Sequence, residues 1–277
     1  MSGFVRPRVC AVTPDELLTA YDDQLRTDAE MARAREVTRI GPLLCAVFDH
    51  GGFVSYHDLG GVEGDELDDL IERAVAHYRD DTDVASFEWK SRGHDLPADL
   101  GDRLVAHGFE AEPVETVMIG EASLLAVDVP LDETPAGPVV VRRIEPGPDA
   151  EGDITRMLEA QESIFGTGRG PSVASSMAEL ASGGSEFWVA EVGGRVVAGG
   201  RLTPVAGTEF AGIWGGSTLP DHRGRGIYRA LVSARAASAM ERGVRFIHSD
   251  CTDMSRPILE RSGLRAVTST TPYVWSR

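Results

Sequence analysis

The sequence predicts a two-domain α/β (α+β) protein, and three observations carry that expectation. At 277 residues the chain is long enough for two domains of modest size, each with its own core. In the second half a Gly- and Arg-rich loop, Asp221-His222-Arg223-Gly224-Arg225-Gly226-Ile227-Tyr228, stands between a strand-like run and a helix-like run. Finally, residues 104–111 (LVAHGFEA) echo residues 259–266 (LERSGLRA): each reads as a helix end, a glycine and then a strand.

Taken in order, the first half has a strand-like run at 84–90 before the echoed helix. An earlier helix follows Gly60-Gly61-Val62-Glu63-Gly64-Asp65-Glu66. Residues 124–138, ending in ETPAGP, are Pro-rich and lack helical periodicity, so they read as a linker. This divides the chain into a domain at 1–130, a linker at 131–138 and a second domain at 139–277. In the second domain, 187–191 and 195–203 form a hairpin across Gly193-Gly194. Residues 208–218 (TEFAGIWGGST) read as a strand that loses regularity at Gly215 and Gly216. Residues 229–242 have helical periodicity, with Leu231, Val232, Ala236 and Ala239 toward one side. A buried strand at 244–250, a short helix at 255–261 ending at Gly263, and two strand-like pieces around Pro272 in 266–275 complete the chain. A further Gly-rich stretch, 166–171, follows a helix rather than a strand, which argues against a dinucleotide fold.

Charge is unevenly distributed. Of 27 Lys/Arg and 44 Asp/Glu, residues 1–138 hold 11 and 29, and residues 139–277 hold 16 and 15. An acidic first half repels phosphates, and no basic stripe with interleaved aromatics exists elsewhere, so nucleic acid is not an expected partner. The acidic surface favours a cationic or amine ligand only slightly over simple solubility. Lys90 is the only lysine, a composition bias suggesting a GC-rich bacterial source. Cys10, Cys45 and Cys251 are odd in number and widely spaced, which fits neither a disulfide framework nor a zinc site. A reducing cytoplasm is expected. No apolar run approaches the roughly 20 residues that span a bilayer, so no membrane partner is expected.

The loop at 221–228 suits an anion. Backbone N–H groups at a helix start have no intrahelical partner, and arginines around them add charge. An ordinary strand-to-helix turn with solvated arginines is the structural alternative. These residues resemble the GNAT superfamily of acyl-CoA-dependent N-acetyltransferases, whose fingerprint Arg/Gln-x-x-Gly-x-Gly/Ala opens a helix after a bulged strand. Arg223 and Gly226 fill the first and fourth places, and Tyr228 stands where Gly or Ala is usual. Reading two residues earlier recovers Gly224 and Gly226 but puts Asp221 first. The order across 139–277 is also similar: strand, two helices, three antiparallel strands, helix, strand, helix, final strands. Leu264 stands where the family usually has Phe. The echo makes the first half a degenerate copy of the second, so the fold class expected is two tandem GNAT-like domains, each a mixed, mainly antiparallel sheet flanked by helices. A generic helix C-cap is the plain alternative for the echo.

The resemblance implies acetyl-CoA as co-substrate and no metal. Its pyrophosphate would meet Arg223, Gly224, Arg225, Gly226, Ile227, Tyr228 and Arg229. The pantetheine would lie in a splay between the strands ending near Gly216 and Asp250, with a backbone N–H of Gly216, Ser217 or Thr218 meeting the thioester carbonyl. The 166–171 connection would lie over the acceptor. In the first half, carboxylates replace the arginines, and their repulsion of a pyrophosphate argues against CoA binding there. The tyrosine acid of many relatives falls at Leu259, leaving Tyr273 as first substitute, with Tyr228 and Ser255 behind it. Phe246, His248 and Asp250 share a strand face, so His248 and Asp250 could relay a proton from the amine. His248 as a core histidine and Asp250 as a cap or turn residue are the structural alternatives, and Glu209 is a further candidate base. The odd separation of His248 and Cys251 disfavours a Cys-His dyad.

The function expected is an N-acetyltransferase that moves an acetyl group directly from acetyl-CoA to a primary amine of a small molecule, as a monomer or homodimer. A non-catalytic acyl-CoA-binding or sensing protein is the main alternative. A first domain that merely covers the second is another.

Overall fold

Helix α1 (Pro14–Leu25) begins where a capping box satisfies its first N–H groups: Thr13 accepts from the Glu16 backbone N–H, and the Glu16 carboxylate accepts from the Thr13 N–H. The computed structural model describes residues 12–49, 51–131, 133–166 and 170–277. After α1 come strands β1 (Glu36–Ile40), β2 (Leu43–Phe48) and β3 (Gly51–Ser55), helix α2 (Asp65–Ala76), strand β4 (Ser86–Arg92), helix α3 (Leu100–Ala106), strands β5 (Glu110–Ala111) and β6 (Glu115–Glu121), and a helical turn α4 (Ala122–Leu125). The second half runs β7 (Val139–Arg143), α5 (Ala150–Phe165), α6 (Val173–Ala181), β8 (Glu186–Val192), β9 (Arg195–Pro204), β10 (Phe210–Thr218), α7 (Ile227–Glu241), β11 (Phe246–Cys251), α8 (Arg256–Ser262) and β12 (Arg265–Ser276).

The two halves repeat one plan. β1, β2 and β3 pair antiparallel and β4 joins β3 in parallel; β8, β9 and β10 pair antiparallel and β11 joins β10 in parallel. All belong to one mixed, mostly antiparallel sheet in the order β1-β2-β3-β4-β12-β6-β11-β10-β9-β8-β7, with β5 on β12. The expected hairpin is present, and Gly193 (φ 56°) and Gly194 (φ 79°) supply the positive dihedrals its two-residue turn requires.

At the centre the halves exchange strands. β12, the end of the chain, leaves the second half to pair with β4 and β5, while β6 from the first half lies between β11 and β12. The closing run is therefore one 12-residue strand, not two pieces around Pro272. Pro272 is tolerated because its carbonyl accepts from Glu112 where the β5 ladder ends, so its missing N–H costs one terminal bond. The linker expected at 124–138 starts inside α4; Thr134 and Gly137 form an isolated bridge farther on, and Asp132 lies outside the described residues.

Each half buries its parallel strands under two helices. α2 and α3 cover Val54, Tyr56, Phe87 and Trp89. α7 and α8 cover Ala211, Ile213, Ile247 and Cys251. On the opposite face of the second half, Phe210, Phe246, Val117 and Ile119 pack under Leu17, Tyr21 and Leu25 of α1, so a first-half helix roofs second-half strands. Among the described residues no helix is long and apolar enough to cross a membrane. Cys45 and Cys251 are separate buried thiols, and Cys10 lies outside the described residues.

Candidate functional site

β10 and β11 pair at Phe210–Phe246, Ala211–Ile247 and Gly212–His248, then part. Past this point β10 bulges against β9 between Trp214 and Ser217, and Gly215 takes φ +60°. Gln161 of α5 pins the bulge by donating from Nε2 to the Gly215 carbonyl at 2.6 Å. A Cβ on Gly216 would stand 2.8 Å from the Tyr228 ring, so glycine is required for that approach. Beyond it, Ser217 Oγ and Thr218 Oγ1 are buried without a hydrogen-bond partner.

The loop then turns through a short 3-10 segment, Pro220–His222. Arg223 Nε donates to the Thr218 carbonyl at 3.0 Å, tying the loop to the strand end. Gly224 (φ 75°) and Gly226 (φ 79°) provide the left-handed steps that lead into α7. Gly226 is the N-cap and offers no side chain, so the first N–H groups of α7 have no side-chain cap. Arg223, Arg225 and Arg229 are exposed around this end. Val129, Pro130 and Leu131 form a wall 3.5 to 3.8 Å from where a Gly226 Cβ would be. The open helix end, three arginines and two unpartnered hydroxyls suit an anion and the polar chain that follows it. On the other side of the bulge a cavity of about 220 Å³ between α5 and α6 opens at Gly215, lined by Leu158, Gln161, Phe165 and Val173. Residues 167–169 of the Gly-rich stretch lie outside the described residues.

Along β11, Phe246 packs under α1, and Ile247 and Cys251 pack under α7 and α8, which sets the two faces. His248 is buried with both ring nitrogens unpartnered and lies edge-on to Tyr21, Phe210 and Trp214 at 6.3, 6.0 and 5.2 Å. Burial pushes its pKa down to about 4, so the ring is neutral at neutral pH. Asp250 is buried and forms an ion pair with Lys90 of β4, so it neither caps α8 nor orders the next turn. Burial alone would raise its pKa, but Lys90 together with His248 and Arg92 holds it below the ordinary value and keeps the carboxyl ionised, with Oδ1 unpartnered. The chain's single lysine thus reaches the second half's site from the first half. Glu88 and Glu115 stand nearby, both held above the usual carboxylate range by burial.

Other expected residues fall elsewhere. Tyr273 is not at the splay: β12 has by then crossed into the first half, where Tyr273 pairs with Trp89 and Ala111 and its hydroxyl packs over Gly101 of α3. Glu209 sits at the closed end of β10, bonded to Gln24 and near Arg245. Ser255 is the N-cap of α8 without a side-chain cap bond, and Leu259 is core between α7 and α8. Gln161, Lys90 and Tyr21 were missed. Their contacts are made between residues far apart in the chain, and no local pattern marks them.

The equivalent position in the first half is built differently. Gly64 (φ +60°) caps α2, whose first turn carries Asp65, Glu66 and Asp68. A cavity of about 600 Å³ beside it is lined by Asp22, Arg26, Tyr56, His57, His94 and Asp95. His57 pairs with Asp58, and the other five bond to one another. Arg26 donates to Asp22 at 3.2 Å, Asp95 at 2.6 Å and the Tyr56 carbonyl at 3.1 Å; Tyr56 donates to Asp95 at 2.6 Å.

Residues 154–259, all in the second half, match the model of the acetyltransferase (GNAT) family. No match was found among curated protein sequences. A GCN5-related N-acetyltransferase from Kribbella flavida is similar in structure over 96% of this chain and 96% of its own, with 19% identity and a TM-score of 0.62. A GCN5-related N-acetyltransferase from Sphaerobacter thermophilus is similar over 85% of this chain and 76% of its own, with 19% identity and a TM-score of 0.58. A tandem GNAT protein from the clavulanic acid biosynthesis pathway is similar over 96% of this chain and 97% of its own, with 15% identity and a TM-score of 0.57. At these identities the likeness concerns the fold.

Proposed function

We propose that the second half binds acetyl-CoA and transfers its acetyl group directly to a primary amine of a small molecule. The observation that carries this reading is the open start of α7, ringed by Arg223, Arg225 and Arg229 and continued by the unpartnered hydroxyls of Ser217 and Thr218. Arg225 and Arg229 with the free N–H groups of residues 227–229 would hold the pyrophosphate. Gly216 and the bulge would let a backbone N–H meet the thioester carbonyl, where oxyanion charge develops. Asp250 Oδ1 would accept from the incoming nitrogen and stabilise its growing positive charge, with His248 behind it in the proton path. The acidic side chains Glu88 and Glu115 favour a cationic amine over an anionic one.

The first half binds no CoA in this reading; it supplies α1 and Lys90 as the acceptor side of the site. The chain divides at 131–138 into units at 1–130 and 139–277, made obligate partners by the strand exchange, and acts in a reducing cytoplasm, which its buried free thiols suit. A second reading, a non-catalytic acyl-CoA-binding or sensing protein, is favoured by Lys90 occupying Asp250. Acetyl-CoA hydrolysis stimulated by a panel of amines supports the first reading; tight binding without stimulation supports the second. Calorimetry tests the common premise: Arg223→Glu/Arg225→Glu should weaken acetyl-CoA binding by more than about tenfold, because each contact is charge-assisted. Unchanged affinity would remove the site from this loop.

A further inference from the structure

Of the chain's 27 Lys and Arg residues only Lys90 is a lysine, and it stands at Asp250. The contact is not a local one. β12 and β6 lie between β4 and β11, and neighbouring strands are about 4.8 Å apart, so the side chain reaches Asp250 only by lying across two strands. On the first-half side Lys90 lines a cavity of about 470 Å³ with Glu30, Phe53, Glu88 and Val274, which leaves the side chain 18% exposed against 6% for Asp250.

Asp250 lies two residues past the last pairing of β10 with β11, and Ser249 Oγ donates to the Ile213 carbonyl at 3.0 Å, which sets Asp250 level with the start of the β10 bulge. The lysine's amine is therefore held where the parted strands face the bulge. An arginine would serve a purely structural pair better, because its planar guanidinium grips a carboxylate through two parallel bonds and keeps its proton. Here Oδ1 of Asp250 is left buried without a partner, so the pair is incomplete as a structural bridge. An ammonium, unlike a guanidinium, becomes a nucleophile once it gives up a proton, and its hydrogen bond to Asp250 Oδ2 provides the acceptor for that proton.

We propose that Lys90 is a site of self-acetylation, its Nζ taking the acetyl group from acetyl-CoA bound to the same chain. This rests on the acetyl-transfer reading above. In the step, one ammonium proton passes to Asp250 Oδ2, and the freed nitrogen pair bonds to the thioester carbonyl carbon. The carbon–sulfur bond breaks with its electron pair going to sulfur. The nitrogen sheds a second proton, which neutralises the thiolate, and Asp250 returns the first to solvent; the products are the Lys90 acetamide and free CoA thiol. The acetamide carries no charge, so the modified chain has released Asp250 from its ion pair and opened it to an external cation.

The single lysine makes the test unambiguous. Wild-type protein incubated with acetyl-CoA should gain one acetyl group on the peptide bearing Lys90, read by mass spectrometry, and Lys90→Arg should gain none within that peptide. The folded chain should react at least about 10²-fold faster than the urea-unfolded chain, because holding the two reactants together replaces a bimolecular encounter. With acetyl-CoA saturating, the rate constant should be independent of protein concentration, as transfer within one chain requires. Equal rates in folded and unfolded chains would mean chemical acylation alone, and a rate constant rising with protein concentration would mean transfer between chains; either overturns the proposal. If calorimetry shows acetyl-CoA bound and Lys90 stays unmodified, this inference fails while the acetyl-transfer reading stands; if no acetyl-CoA binds, both fail.

Discussion

The clefts of the two halves share one topology and differ in what their polar groups do. In the first, Arg26, Asp22, Tyr56 and Asp95 bond to one another around the cavity, and three carboxylates occupy the first turn of α2. In the second, Ser217 Oγ, Thr218 Oγ1, both His248 nitrogens, Asp250 Oδ1 and Arg235 Nη2 are buried and unpartnered. Leaving such groups unmatched costs about 1 to 3 kcal/mol each, a cost that a protein tolerates where a ligand completes them. The lesson is that a strand–turn–helix frame alone does not make a site. Its unsatisfied groups do, and Arg26, Asp22, Tyr56 and Asp95 around the first cleft are tied to one another.

The comparison breaks most visibly if turnover does not separate the two clefts. Asp250→Asn should lower turnover by about 10²- to 10⁴-fold on a verified acceptor while preserving acetyl-CoA affinity. Asp95→Asn in the first cleft should leave turnover within about twofold and act on stability instead. Steady-state kinetics on both variants decides this, and a fully active Asp250→Asn would move the base elsewhere.

Stability gives the next largest effect. Arg26→Met strands Asp22 and Asp95 inside the first cleft, and breaking a buried pair costs about 3 to 5 kcal/mol. Urea unfolding should show that loss with acetyl-CoA affinity intact; an equal loss of affinity would tie the first cleft to ligand binding after all. A calorimetric titration of the whole wild-type chain should give one acetyl-CoA site, and two sites of similar affinity would erase the distinction.

A smaller effect should appear with pH. Burial pushes the folded pKa of His248 down to about 4, below the ordinary histidine value of about 6.5. Below pH 6.5 the unfolded chain therefore binds more protons than the folded one, and stability falls as pH drops from about 6.5 toward 4. Between pH 7 and pH 5 this histidine should account for about 2 kcal/mol of lost stability. His248→Gln should remove that portion from the pH dependence of the urea midpoint, whereas an unaltered dependence would place the titrating groups elsewhere.

What the sequence determined by itself was local. The Gly193-Gly194 turn, the glycine-framed start of α7 and the periodicity of its buried side are written within a few residues, because positive φ and a 3.6-residue repeat are properties of short segments. The acidic start of α2 was legible in the same way, as was the order of elements in the second half. The tertiary structure decided the rest. Lys90 and Asp250 are 160 positions apart and meet because the exchange of β6 and β12 joins the two halves into one sheet. The same exchange carries Tyr273 away from the splay and into the first half, and the packing of α1 sets Tyr21 beside His248. Strand pairing between distant segments depends on register and on which edge stands open when the chain folds, and a strand's own alternation specifies a face without naming the neighbour.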